Sequence, residues 1–201
     1  MGLILKIGEI FMNMLKAFLG LFMLVCLSFS IGCGKTAENQ REEAIFDNKA
    51  EALIGNLKIF AARGNFDLSE PKTYTADNKK YCSLNFGGTE NNKITFRLND
   101  DDSVISEEIT VADPSDFEAG KMAGMLLSGT LMGIGVEDAD LQKFLTDYQN
   151  LVAEEIRKQK DASVIIIDQD IKVHNAFKKK DLRVNIKSNE KQAGYLIEIA
   201  R

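Results

Sequence analysis

The sequence predicts an α+β fold, an antiparallel sheet or sheets with about three packed amphipathic helices in the order α-ββ(β)-αα-ββββ. Two observations lead there. Apolar residues recur at three and four in some blocks and at every second position in others, and the two kinds of block are segregated along the chain rather than alternating as βαβ units.

The elements follow in order. Phe46, Ala50, Leu53, Leu57 and Phe60 trace one helix face, predicting a helix from about Arg41 to Arg63 ended by Gly64. Tyr81 to Phe86, Lys93 to Leu98 and Val104 to Val111 alternate with period two, separated by Gly87-Gly88 and Asn99 to Asp102, as an antiparallel meander does. Asp113-Pro114-Ser115 reads as a helix start, with Ser115 and Glu118 as a capping box. The run that follows is apolar nearly all round. Gly120, Gly124 and Ser128 within it are spaced by four, which lets another backbone approach closely; the uncharged stretch from Met122 to Val136 is short for a membrane span and reads as a core helix.

Gly133 and Gly135 break that helix and Asp138 is placed to cap the next. Its stripe of Leu141, Phe144, Leu145, Tyr148, Val152 and Ile156 opposes a charged face. Four strands are expected after it, at Ser163 to Asp168, Ile171 to Asn175, Leu182 to Ile186 and Ala193 to Ala200, with turns at Lys178-Lys179-Lys180 and Ser188-Asn189-Glu190. The order fits either two helix-plus-sheet halves, similar to a tandem cystatin-like arrangement, or one sheet with helices on a face.

The first 32 residues stand apart. Ala17 to Ile31 is a run of uncharged, mostly apolar residues after Lys16, too short to span a bilayer and ended by Gly32-Cys33. A basic flank, a short apolar core and a small residue before a cysteine resemble the bacterial lipoprotein signal, with Ser30 where an aliphatic residue is usual. The resemblance implies cleavage between Gly32 and Cys33 and lipidation of Cys33. Residues 1–32 are then a signal peptide, 33–43 a polar tether and 44–201 a single globular domain. Glu9 is out of place in a basic leader, and a start at Met14 would give a signal of ordinary length.

Beyond residue 32 the chain holds 23 basic and 29 acidic residues, a net charge of −6. That balance argues against nucleic acid and against electrostatic adhesion to anionic lipid. With Cys26 in the signal and Cys33 lipidated, Cys82 has no disulfide partner.

Few residues offer chemistry. Cys82 shares parity with Leu84 and Phe86, while the sole histidine, His174, alternates with Val173, so a catalytic Cys-His pair is not expected. Asp168, Asp170 and His174 would line one strand face and form the least implausible metal site, interrupted by Lys172; Asp168 to Asp170 is alternatively a turn. Asn99 to Ser103 lacks the glycine and distant glutamate of a calcium loop. Ser69 to Lys72 and Ser188 to Lys191 fit S-x-x-K without its companion motifs, and Gly34-Lys35-Thr36 lacks the first glycine of a P-loop. Glu107, Glu108, Glu154 and Glu155 remain as carboxylates whose pairing only a fold decides. No cofactor and no catalytic residue is implied.

The expectation is a lipid-anchored protein of the cell envelope, on the outer membrane if the host has two membranes. Its partners would be the bilayer, through Cys33, and an envelope protein, and it would act by binding or assembly. The alternative is an envelope hydrolase or metal-dependent ligand-processing enzyme.

Overall fold

The computed structural model describes residues 42–159 and 165–200; the expected signal, Cys33 and most of the expected tether lie outside them. The described residues belong to one unit, Gln40–Arg201. Eight strands and three helices follow in chain order: β1 (Phe46–Lys49), α1 (Ala50–Arg63), β2 (Lys72–Ala76), β3 (Lys79–Asn85), β4 (Lys93–Leu98), β5 (Ser103–Val111), α2 (Phe117–Gly133), α3 (Asp138–Lys158), β6 (Ile167–Asn175), β7 (Lys180–Ser188) and β8 (Ala193–Ile199). All strands join one antiparallel sheet in the order β2-β3-β4-β5-β8-β7-β6, with β1 added beside β5. The choice between two halves and one sheet is thereby decided for one.

Period two dictates one buried face. Leu84, Ile94, Phe96, Ile109, Ile197, Val184 and Val173 point to the side on which the helices pack, with α2 over β5 and β8 and α3 over β6. A bulge in β5 keeps this consistent. Arg97 opposes Ser106 but Leu98 opposes Val104, so Ile105 is an extra residue, and Val104 and Glu107 turn to the same side despite their odd spacing.

The first helix begins at Ala50, nine residues later than its apolar period predicts. Strand β8 pairs only with Glu107 to Val111, leaving the start of β5 with free backbone groups. Strand β1 takes that flank, pairing Phe46 with Val104, and Ala50 N donates to Asp102 O at 2.9 Å. Satisfying buried backbone groups outweighs local helix preference here.

Strand β2 escapes the sequence reading because all five of its residues are exposed and no apolar alternation marks it. Asp77 and Asn78, both at positive φ (49° and 58°), make the two-residue turn that folds it onto β3.

Three details of the helices differ from expectation. Asp116, not Ser115, caps α2, accepting from Ala119 N at 2.9 Å, while Ser115 donates to Asp113. The cap of α3 is Glu137, without a side-chain bond, so Asp138 becomes its first residue. The close approach is made by other glycines: a Cβ at Gly120 or Gly124 would meet nothing within 4 Å, whereas at Gly129 and Gly133 it would lie 2.9 Å from Phe60 and from Leu53 on α1. The stripe of α3 is buried at Leu141 and Phe144, but Ile156 near its end is exposed.

Of the four expected C-terminal strands, the end of the first and the whole of the second form β6 and the others are β7 and β8; residues 163–164 of the first lie outside the described residues. Asp168 to Asp170 is not a turn; β6 runs unbroken from Ile167 to Asn175, paired throughout with β7.

Candidate functional site

The face of the sheet opposite the helices carries Asp168, Asp170 and His174, the residues singled out as a metal site. Its side chains align in cross-strand rows, since antiparallel partners share a face. One row reads Asp170, Asn185, Leu196, Glu108, Thr95, Ser83 and Lys72 across seven strands. At about 4.8 Å per strand the row is roughly 29 Å wide. Neighbouring rows add Asp168 with Lys187, Lys172 with Arg183 and Glu198, and His174 with Asp181.

The continuity of β6 places Asp168, Asp170 and His174 on one exposed face, yet each is engaged elsewhere. Asn185 Nδ2 donates to Asp168 at 3.1 Å and to Asp170 at 2.9 Å. Arg183 lies 3.6 Å from Asp170 and pairs with Glu198 across to β8. His174 Nδ1 is 2.9 Å from Asp181 Oδ1, and this contact raises the imidazole pKa, with smaller contributions from Asp140 and Glu137. Among the described residues no three His, Cys, Asp or Glu side chains are grouped so as to hold a metal ion.

Cys82 lies on the helix-covered face, opposite Phe96 and five strands away from β6, so it cannot meet His174. Its thiol is buried, and desolvation raises its pKa. That makes it a weak nucleophile. Asn99 to Ser103 forms the β4–β5 turn, with Asp101 accepting from Ser103 and Asp102 paired with Lys80 at 2.6 Å. Ser69 Oγ is taken by Asn85 N and Glu70 O.

The four carboxylates do not converge. Glu107 and Glu108 point to opposite faces of β5, and Glu154 and Glu155 both pair with Lys158 at the end of α3.

Glu107 is the unexpected member. It is 0% exposed, its cross-strand partners are Phe96 and Ile197, and both its oxygens lie 2.8 Å from Thr130 Oγ1 on α2. Burial raises its pKa from 4.5 to about 8. A neutral carboxyl suits this geometry, because its O–H donates to Thr130 while the Thr130 hydroxyl donates back to the other oxygen. An ionised one would leave an oxygen in the core without a donor. Its sequence signal is parity: Glu107 occupies the apolar row of Ile109 and Val111. A half-buried polar contact also lies between sheet and helix, where the Tyr148 and Tyr195 hydroxyls are 3.2 Å apart.

Across β6, β7 and β8 the face opposite the helices presents paired charges and hydrogen-bonding groups. No described helix is long and apolar enough to cross a membrane. The chain matches no protein-family model, no curated protein and no solved structure.

Proposed function

We propose that this protein is a lipoprotein of the cell envelope, cut before Cys33, anchored there by lipid, and acting through its α+β domain by binding or assembly. The observation that carries the reading is the short apolar run Ala17 to Ile31 ending in Gly32-Cys33. A thioether forms only on sulfur, and a small residue before it leaves the backbone open to a peptidase. One acyl chain holds a protein only marginally, whereas the two or more that such a cysteine carries hold it stably.

The uncovered sheet face supports a binding role. Several of its ionic groups pair with one another, as Arg183 does with Glu198 and His174 with Asp181, so a partner would meet hydrogen-bonding groups together with compensated charges there. An envelope protein is the partner class this favours.

The test is mass spectrometry and membrane fractionation of the wild type against Cys33→Ala. The expected result is a mature chain beginning at a diacylglyceryl-modified Cys33 in the membrane fraction, and its loss in the variant. An unmodified, uncleaved Cys33 in the wild type refutes the reading.

A further inference from the structure

An exposed aromatic ring stands at the end of the domain where the chain arrives from Cys33. Phe177, in the turn between β6 and β7, is 83% exposed, more than any other large apolar side chain among the described residues. The turn is braced from below. Fully buried Asn175 donates to Ile134 O at 3.0 Å and accepts from Lys178 N at 3.0 Å. The same turn is pinned to the first described residues: Lys178 Nζ donates to Ala44 O at 2.7 Å and pairs with Asp47 at 2.9 Å, and Lys180 pairs with Glu43.

Those contacts fix where the tether ends. Nine residue steps lead from Cys33 to Glu42, and at full extension they span at most about 30 Å. We infer that Phe177 is the point of the domain that faces the bilayer, its ring inserted at the level of the headgroups and upper acyl chains of the membrane that holds Cys33. This rests on the reading of Cys33 as the lipid anchor and adds an orientation to it. Exposed Lys179, at the tip with φ 55°, can lay its apolar stem along the membrane and keep its ammonium in water. The attraction is apolar rather than ionic: Asp100, Asp101 and Asp102 occupy the adjacent turn, joined to Glu42 through Asn99, and the chain beyond residue 32 is acidic overall. A zwitterionic bilayer is therefore sufficient.

The sequence contains no tryptophan, so Phe177→Trp introduces a lone reporter. The full lipidated variant is reconstituted in phosphatidylcholine vesicles with and without brominated acyl chains, and lipid on Cys33 is verified by mass spectrometry of the same sample. The expected result is a blue-shifted emission that loses intensity with bromine. Phe117→Trp, at the far end of α2 and about 24 Å from Gly133 by helix rise, is expected to show neither change. An unquenched Phe177→Trp on a lipidated chain overturns the orientation and leaves the anchor standing. Equal quenching at both positions also overturns the orientation, and absence of lipid on Cys33 overturns both readings.

Discussion

Replacing Glu107 by Gln isolates the cost of holding a carboxyl in the core. In the folded chain the group titrates at about 8 against 4.5 as the ordinary value, and burial is the cause. Below pH 4.5 it is protonated in both states and the shift has no effect on stability. As pH rises from 4.5 to 8 the unfolded chain releases the proton and the folded chain keeps it, so stability falls; above 8 both are ionised and the loss levels off. At 1.36 kcal/mol per pH unit the loss is about 3 kcal/mol at pH 7 and about 5 kcal/mol once complete. Glu107→Gln removes this dependence, because an amide does not titrate. Any misfit of the amide beside Thr130 adds a constant offset and no slope. Urea unfolding of the chain from Gly34 onward at pH 5, 6, 7 and 8 measures it. The expected outcome is a variant whose stability relative to wild type rises steadily across that range. Parallel pH profiles for the two proteins would refute the assignment of a neutral, buried Glu107.

Three further outcomes follow from the packing and the surface pairs. Gly133→Leu, whose Cβ would lie 2.9 Å from Leu53 Cδ1, should destabilise by about 1–3 kcal/mol in thermal or urea unfolding, whereas Gly124→Ala, with open space around it, should stabilise by up to about 1 kcal/mol. Asp116→Ala removes the bond to Ala119 N and should cost about 1 kcal/mol, while Ser115→Ala should leave α2 nearly unchanged. Asp181→Asn should bring the His174 pKa down towards its ordinary value, read from the imidazole proton shifts by NMR; in the wild type the pairing is strongest with the ring protonated and weakens as pH rises through the raised pKa.

Elements that bury one face are legible in the chain's own periodicity. The rows Ile94, Phe96, Leu98 and Leu182, Val184, Ile186 alternate cleanly, and both are strands with that face inward. Strand β2 and the extended Phe46 to Lys49 are not legible, because they exist to complete a backbone ladder and carry no apolar period of their own. The glycines of α2 show the same limit. Spacing by four is shared by Gly120 with Gly124 and by Gly129 with Gly133, and only the position of α1 selects the second pair for close contact.

The candidate site divides likewise. That Asp168, Asp170 and His174 share a face follows from their even numbering along one strand. That Asn185, Arg183 and Asp181 occupy them follows from the register of β6 on β7, which no local pattern specifies.

The α+β class, the helix or strand type of most elements and the inward face of the regularly alternating strands β4 and β7 can be read along the chain, since each depends on periodicity within a single segment. The union of both halves of the chain in one sheet, the burial of Glu107 against Thr130 of α2 and the place of the Phe177 turn beside the first described residues come from the tertiary fold. These are contacts between residues remote in sequence, and they are selected by which backbone edges and apolar faces remain to be covered once the local elements have formed.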